Sequence, residues 1–347
     1  MEAFVGEYDE LVNPAKLGPA LAEAMSDDAW RDFSAHLIAG GKSNLTFEIS
    51  SAAGELILRR PPSGKLLPSA HDMGRESRVQ RALAPTDVPV PQIVLVDESG
   101  DLLGVPCYVM HRVDGIVVRD AFPDGYLDGD HGMEQVAGAL VDTQATLHLI
   151  DPASVGLDDF GKAEGFMERQ VRRWSEQWER SKTHDVAAMD ELGRRLSGGA
   201  PAAQRVSVIH GDYRLDNCML DSSDPSRIAA VLDWELSALG DPLADLALTL
   251  FYWAEPGEVS PTVTPLITQT PGFPGRDFVK QRYAERTGLD LSNLAYYEAF
   301  AAFKFAGIVQ GVSRRSQEGK MAGQDFGNLD AMVEMIAKAG VAKLDLI

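Results

Sequence analysis

Residues 206–217 read VSVIHGDYRLDN, an apolar run followed at once by a polar loop. Two further short apolar runs come next, at Cys218–Leu220 and Ile228–Leu232, and the turn sequence DSSDP at 221–225 lies between them. Short apolar runs bounded by turn residues are typical of strands. The stretch therefore predicts three short strands, the last two of which form a hairpin.

Polar residues gather at both ends of this hairpin. Asp212 and Asn217 precede it, and Asp233 directly follows its second strand. Two carboxylates and an amide offer the oxygen ligands that suit Mg²⁺, which usually shares its coordination shell with substrate phosphates. The pattern favours phosphoryl transfer over the structural alternative, a loop whose acids serve only as turn and capping residues.

The part of the chain before this region is predicted to be rich in strands. Apolar residues alternate over 45–49, and a turn separates them from the strand that starts at Leu56. Two more strands are predicted at Gln92–Val96 and Val105–His111, and a helix at Met73–Leu83 ends before a proline. These elements predict a small antiparallel β domain.

Beyond Gly115, apolar residues recur at three- and four-residue spacing, which is typical of amphipathic helices. The predicted helices are Met133–Ile150, Ala163–Ser181, Val186–Leu196, Leu243–Trp253, Arg276–Thr287, Leu291–Arg315 and Asn328–Ala339. The sequence therefore predicts an α+β fold with two domains, a strand-rich N-terminal domain of residues 1–111 and a larger, mainly helical domain of residues 112–347.

The composition excludes several classes of protein. Of the 347 residues, 45% are hydrophobic. The 32 basic and 52 acidic residues give a formal charge of −20. This charge disfavours nucleic-acid binding, because the protein would repel the phosphate backbone. Cys107 and Cys218 lie in apolar runs, which fits a reducing compartment. The start of the chain lacks the pattern of a signal peptide, and no apolar run has the length of a membrane span. We expect a cytoplasmic protein without a membrane partner, and the oligomeric state stays open.

The motif HGDYRLDN at 210–217 and the sequence LDWE at 232–235, with GDPLADLA after them, resemble the catalytic and metal-binding loops of the aminoglycoside phosphotransferase and choline kinase family. The resemblance covers most of the chain and implies a bilobal protein-kinase-like fold. It implies that Asp212 orients or deprotonates the acceptor hydroxyl and that Asn217 and Asp233 bind Mg²⁺, with ATP as phosphoryl donor.

The same resemblance implies nucleotide-binding residues in the first domain. Backbone N–H groups of a glycine-rich turn would cover the phosphates, at Gly41, Lys42, Ser43 and Asn44. Kinase-like folds place a strand cation on the phosphates and hold it with a helix glutamate, and these roles fall on Arg59 and Glu76. The family usually has lysine where Arg59 stands, so a solvated strand end is the alternative. The backbone around His111 and Val113 would bond the adenine.

Two features of the sequence favour different acceptors. The negative charge, with Glu235 beside the metal-binding aspartate, favours a cation such as an aminoglycoside or choline. In contrast, Lys304 and Arg315 lie on nearly one face of an apolar helix, and Gln310 and Arg314 are close to them in sequence. A cation in an apolar helix needs an anionic partner, which is either the acceptor or a structural acid.

The segments 58–76 and 296–315 resemble the kinase-like domains associated with acyl-CoA dehydrogenases. This resemblance implies a hydroxyacyl-CoA or another anionic hydroxy compound as acceptor. The leading hypothesis is an ATP- and Mg²⁺-dependent small-molecule kinase, a phosphotransferase with an alcohol group as acceptor. The alternatives are an aminoglycoside or choline-type kinase for a cationic acceptor and, because of Arg59, a non-catalytic kinase-like nucleotide-binding module.

Overall fold

The computed structural model of this chain describes residues 8–38, 44–62, 72–119, 121–127, 131–258, 267–319 and 328–347. The chain forms two compact units. The first comprises Met1–Ile116, Met219–Ser222 and Ile228–Ser237, and the second comprises Val117–Cys218, Ser223–Arg227 and Ala238–Ile347. The first unit extends past residue 111 and takes in most of the hairpin, because long-range contacts such as the hydrogen bond from Val231 N to Pro89 O attach the hairpin to it.

Ten strands lie within the described residues. They are β1 (Ser34–Leu37), β2 (Leu45–Ser51), β3 (Gly54–Arg60), β4 (Ile93–Asp97), β5 (Cys107–His111), β6 (Ile116–Val117), β7 (Ser207–Ile209), β8 (Cys218–Leu220), β9 (Ile228–Val231) and β10 (Ala238–Gly240). Five of them form an antiparallel sheet in the order β1-β2-β3-β5-β4. The tight turn between β2 and β3 uses Gly54 at a φ of 133°, a conformation that glycine adopts readily.

Ten α-helices occur in the same described residues. They are α1 (Asp9–Val12), α2 (Pro14–Met25), α3 (Met73–Leu83), α4 (Gly132–Leu149), α5 (Phe166–Ser181), α6 (Ala187–Leu196), α7 (Pro242–Tyr252), α8 (Arg276–Thr287), α9 (Leu294–Gln317) and α10 (Leu329–Leu344). The helices and strands predicted from the sequence are confirmed, with ends that differ by a few residues. The sequence analysis missed the short strands β1, β6 and β10.

The two faces of β3 contact different parts of the first unit. Leu58 packs into a core that β2 and α2 share, whereas Ile57 packs with Met73 of α3. Side chains alternate along a strand, so Arg59 lies on the α3 face and Arg60 on the opposite one. There the Arg60 guanidinium donates to backbone carbonyls, as a structural residue does. The alternation therefore makes Arg59 the only one of this pair that faces α3.

Helix α9 is the central helix of the second unit and packs against α5, α6, α7 and α10. Strand β7 pairs with β10, with Ile209 opposite Ala238, and β10 leads directly into α7. This pairing brings the loop that follows β7 beside the first turn of α7. A membrane-spanning helix is absent from the residues that the structure describes.

Gly115 makes a close approach to β8 that tests the placement of the hairpin. A Cβ at this position would lie 2.5 Å from Met219 Cγ and 2.6 Å from the Leu220 carbonyl oxygen. Because the backbone of β8 cannot move aside as a flexible side chain can, we expect Gly115→Ala to lower the free energy of unfolding by about 1–3 kcal/mol. Chemical denaturation measures this change.

The control is Gly193→Ala on α6, where the nearest atom to an added Cβ lies 3.6 Å away. We expect this change to raise the free energy of unfolding by about 0.5–1 kcal/mol, because alanine has the higher helix propensity. A Gly115→Ala protein as stable as the wild type would contradict the close approach.

Candidate active site

The loop after β7 is anchored by a buried carboxylate of the second unit. Asp245, in the first turn of α7, accepts the backbone N–H of His210 at 2.9 Å and that of Gly211 at 2.8 Å. His210 is fully buried, and its Nδ1 accepts the N–H of Asp212 at 3.2 Å. The backbone on the N-terminal side of Asp212 is therefore fixed by hydrogen bonds to two side chains.

Behind Asp245 lies a buried chain of polar groups. His148 Nε2 is 3.1 Å from Asp245 Oδ2, and His148 Nδ1 is 2.7 Å from the hydroxyl of Tyr283. Burial alone would raise the pKa of Asp245, but the contacts with His148 and His210 hold it below its usual range. Asp241, just before α7, accepts the N–H of Leu243 as an N-cap. Asp241 and Asp245 therefore both stabilise the nearby backbone by accepting its N–H groups.

Both carboxylate oxygens of Asp212 have partners within the second unit. The Tyr252 hydroxyl donates to Oδ1 at 2.7 Å, and the Asn217 amide donates to Oδ2 at 3.0 Å. Arg214 Nε lies 3.4 Å from the same Oδ2. The Asp212 side chain is nevertheless 21% exposed, so its carboxylate is oriented and still accessible to a hydroxyl group.

Asn217 is oriented by its own amide nitrogen. Its Nδ2 donates to the Asp212 carbonyl at 2.9 Å as well as to the Asp212 carboxylate. Because both bonds use the amide nitrogen, the amide oxygen lies on the side of the Asn217 amide away from these two acceptors. An amide oxygen is a type of ligand that Mg²⁺ accepts. The chemistry of Asn217 therefore fits a metal ligand.

Tyr252 and Arg214 are residues of this site that the sequence analysis missed. Arg214 lies 3.1 Å from Asp216 and stacks over the Tyr252 ring at 5.2 Å. Burial and the nearby Asp212 carboxylate raise the pKa of Tyr252, so its hydroxyl stays a proton donor at neutral pH. Tyr252 ends α7 in an aromatic sequence that also fits an ordinary core, and this made it inconspicuous.

The first unit contains a second cluster of charged side chains, centred on Arg59. Its Nε is 2.9 Å from Glu76 Oε2, its terminal nitrogen forms a short ion pair with Asp233, and Glu235 lies 3.9 Å from it. Burial lowers the pKa of Arg59, but Tyr108, Glu76 and Asp233 more than offset this and raise it overall. The guanidinium is therefore charged, as the role predicted for it requires.

Glu76 is the buried centre of a hydrogen-bond network. It accepts from Asn44 Nδ2 at 3.0 Å and from the Tyr108 hydroxyl at 3.1 Å. Burial raises the pKa of Glu76 to about 7, although Arg59 acts in the opposite direction. Asn44 Nδ2 also lies 3.4 Å from Glu235 Oε2. The Asn44 side chain thus links two of the acids around Arg59.

Asp233 follows β9 in a left-handed conformation, with φ of 65°. Non-glycine residues adopt this conformation infrequently, and aspartate is among those that tolerate it best. Asp233, Glu76 and Glu235 surround one guanidinium, so the cluster has an excess of negative charge when all are ionised. A divalent cation would offset this charge, and carboxylate oxygen is the ligand that Mg²⁺ prefers.

The structure describes some, but not all, of the other predicted nucleotide-binding residues. Gly41, Lys42 and Ser43 lie outside the described residues. His111 ends β5, and its N–H donates to the Gln92 carbonyl at 2.8 Å, while Val113 lies between β5 and β6. Within the described residues, no group of three or more His, Cys, Asp or Glu side chains is arranged to hold a metal ion.

Four residues of α9 are predicted to bind the acceptor, and their contacts divide them into two pairs. Gln310 is fully buried and donates to the Thr183 hydroxyl at 3.1 Å, and Arg314 pairs with Glu318 at 3.0 Å. These contacts favour structural roles for Gln310 and Arg314. Lys304, in contrast, lies 3.4 Å from the Gly211 carbonyl oxygen, next to the anchored loop, and Arg315 lines a groove on the surface.

Comparison with known proteins identifies the family and the class of fold. Residues 34–279 match the profile of the Phosphotransferase enzyme family (APH), and the chain belongs to this family. A solved Ralstonia eutropha protein, provisionally named an aminoglycoside phosphotransferase, is 30% identical, with a TM-score of 0.77 over 90% of this chain and 93% of that one. The predicted family resemblance is therefore confirmed.

More distant solved structures share the fold. Choline kinase from Cryptosporidium parvum has a TM-score of 0.63 at 12% identity, over 94% of this chain and 95% of its own. Aminoglycoside phosphotransferase APH(4)-Ia, solved as a thermostable mutant with AMP-PNP and hygromycin B, has a TM-score of 0.60 at 15% identity, over 94% of this chain and 98% of its own. The predicted α+β, kinase-like fold is confirmed.

The curated relatives are longer proteins. The chain is 35% identical to rat acyl-CoA dehydrogenase family member 11 over 87% of this chain and 39% of that protein. It is 34% identical to mouse family member 10 over 86% of this chain and 28% of that protein. The chain thus spans less than half the length of these two relatives.

The anchor of the loop gives a testable prediction. We expect Asp245→Asn to lower the free energy of unfolding at pH 7 by about 2–3 kcal/mol, because an amide has one acceptor oxygen for two buried N–H groups. The pKa of Asp245 is lowered in the folded state, so its contribution is present above the unfolded-state value and is lost as the pH falls through the folded-state value. Denaturation from pH 7 to pH 3 should show the difference from the wild type shrinking below about pH 4.

The matched control is Asp151→Asn. Asp151 also accepts a backbone N–H, that of Ala153 at 3.1 Å, but the carboxylate is exposed at a helix N-terminus. Asparagine caps such a terminus as well as aspartate does, so this variant should keep the wild-type stability. If both variants behave alike, Asp245 does not anchor the loop.

Proposed function

We propose that this chain is an ATP- and Mg²⁺-dependent kinase that transfers the γ-phosphoryl group to a hydroxyl group of a small molecule. The observation that carries the proposal is the Asp212 carboxylate, which Tyr252 and Asn217 orient while part of its surface stays exposed. A carboxylate that is held in position by an anchored loop can orient a hydroxyl group and accept its proton.

In this proposal Asp212 accepts a hydrogen bond from the acceptor hydroxyl and takes its proton as the new O–P bond forms. The bond between the γ-phosphorus and the bridging oxygen breaks, and ADP leaves. Asn217 and Asp233 would hold Mg²⁺, which neutralises charge on the phosphates when it is bound. Asp245 acts through the backbone of the loop, so it is a positioning residue.

The cluster around Arg59 supports a nucleotide site in the first unit. Glu76 orients the Arg59 guanidinium from one side, and the Arg59 side chain, which is only 14% exposed, interacts more strongly with an anion than a fully solvated arginine would. Arginine can bind two phosphate oxygens at once through its planar fork. APH(4)-Ia, with its AMP-PNP complex, further supports ATP as the donor.

For the acceptor we propose an anionic hydroxy compound, such as a hydroxyacyl-CoA. Lys304 next to the loop and the acyl-CoA dehydrogenase names of the curated relatives support this class. The chain charge of −20 and the fold shared with choline kinase favour the second candidate, a cationic acceptor. Glu235, the acid predicted to bind such a cation, already contacts Asn44 and Arg59, which makes this candidate the weaker one.

We also propose that the protein works in the cytoplasm. Cys107 and Cys218 are both free and buried, and burial raises the pKa of each thiol to about 12, which keeps them protonated and unreactive. Structural cysteines of this kind suit a reducing compartment.

The base assignment is tested with Asp212→Ala. We expect kcat for phosphoryl transfer to fall by about 10²–10⁴-fold, because no carboxylate remains to accept the proton, while the Kd for AMP-PNP stays unchanged. Product formation is measured with γ-labelled ATP across hydroxyacyl-CoA, aminoglycoside and choline pools. Asp224→Ala, in the hairpin turn, is the control and should keep wild-type kcat. Wild-type turnover by Asp212→Ala would remove the assignment, and binding of AMP-PNP without turnover of any pool would favour the non-catalytic module.

The role of Arg59 is tested separately. We expect Arg59→Met to weaken AMP-PNP binding about tenfold or more, since at least one charge-assisted hydrogen bond to phosphate is lost. Arg59→Lys keeps the charge and should lose less. Calorimetric titration measures both affinities, and thermal unfolding checks that Glu76 without its partner has not unfolded the first unit. Unchanged affinity in a folded Arg59→Met protein would assign Arg59 to structure alone.

A further inference from the structure

A groove lies between helices α5 and α9 of the second unit. Its volume is about 180 Å³, and it is lined by side chains and glycines of both helices, among them Arg173, Trp174, Gln177, Gly307, Gly311 and Arg315. This space is smaller than the 300–1,000 Å³ of sites that enclose a whole ligand, so it suits one functional group of a larger molecule.

Two glycines open the groove. Gly307 and Gly311 are one helical turn apart, so they lie on the same side of α9. A Cβ at Gly307 would lie 3.4 Å from the Trp174 ring, and one at Gly311 would lie 3.6 Å from the Arg315 guanidinium. Side chains larger than alanine at these positions would fill the space beside the arginine.

Two arginines line the groove, although the protein as a whole is acidic. Arg173 and Arg315 are exposed, and no carboxylate of the described residues forms an ion pair with either of them. The residue beside Arg315 differs in this respect, since Arg314 pairs with Glu318. Two arginines without an acid, in a chain with 20 more acidic than basic residues, indicate a site that is complementary to an external anion.

Lys304 connects this groove to the loop that carries Asp212. Its Nζ lies 5.9 Å from the centroid of the Trp174 ring, which lines the groove, and 3.4 Å from the Gly211 carbonyl oxygen. Burial lowers the pKa of Lys304, and Arg173 acts in the same direction, whereas Asp212 raises it. A partly buried ammonium that contacts a carbonyl oxygen and an aromatic ring is stabilised by an added anion.

We propose that the α5–α9 groove binds an anionic oxygen group of the acceptor, with Arg173 and Arg315 as its charged ligands and Lys304 on the side of the catalytic loop. The identity of the bound molecule as the acceptor rests on the proposed function. The anionic group is a carboxylate or a phosphate, and it has two possible sources: a free hydroxy acid or the phosphates of a CoA thioester. Arginine forks bind both groups through paired hydrogen bonds.

The test measures binding and needs no turnover. The full chain is titrated calorimetrically with 3-hydroxybutyrate and, separately, with coenzyme A, in the presence of saturating AMP-PNP and Mg²⁺ so that neither probe occupies the nucleotide site. The variant is Arg173→Gln/Arg315→Gln, which removes both charges from exposed positions. The matched control is Arg172→Gln/Arg194→Gln, which removes two exposed charges from α5 and α6 outside the groove.

We expect the groove variant to bind at least one probe about tenfold more weakly or worse. This loss corresponds to one charge-assisted hydrogen bond. The control should bind both probes as the wild type does. A loss for 3-hydroxybutyrate identifies a carboxylate, and a loss for coenzyme A identifies phosphate. Equal losses in the groove variant and the control would overturn the proposal, and so would a wild type that binds neither probe.

A failure of this proposal is distinguishable from a failure of the proposed function. Phosphoryl transfer that survives in Arg173→Gln/Arg315→Gln with an unchanged KM for the acceptor would refute the groove and leave the kinase intact. Groove-dependent binding without transfer in the wild type would refute the kinase and leave the anion site. In a kinase with a groove-bound acceptor, the variant should raise the KM for the acceptor and leave the KM for ATP unchanged.

Discussion

The hydrogen bonds from two consecutive backbone N–H groups to the Asp245 carboxylate are the constraint on which the candidate site depends. They fix the chain at His210 and Gly211, immediately before Asp212. The carboxylate can accept both because His148 and Tyr283 stabilise it in a buried position. A buried charge with these partners is costly to disturb, so the geometry of the loop is set by the packing of α4, α7 and α8 behind it.

The Arg59 cluster of the first unit is likewise a group of charged side chains, each of which has defined partners. Strand alternation turns Arg59 toward α3, and Glu76 on that helix receives it. The acids around the guanidinium outnumber it, so the cluster has an excess of negative charge when all of them are ionised. Arginine in place of the usual lysine also keeps its charge more firmly on burial.

The groove between α5 and α9 shows that the net charge of a chain is a poor guide to the charge at one place on it. The whole chain has a formal charge of −20, yet Arg173, Arg315 and Lys304 come together along α5 and α9. Distant surface charges are screened by salt, whereas cations in a groove act at short range and with partial desolvation. The charge of this groove is therefore positive, opposite in sign to the charge of the whole chain.

The sequence by itself determined the family and most of the helices and strands, because periodicity and motif spacing are local properties of the chain. The same motif predicts the roles of Asp212, Asn217 and Asp233. Only the tertiary structure showed that Tyr252, 40 residues away, holds Asp212. It also decided that Arg315 shares a groove with Arg173 while neighbouring Arg314 pairs with Glu318. The physical reason is that contacts between helices depend on the angle and register at which they pack, and a pattern within one helix contains neither.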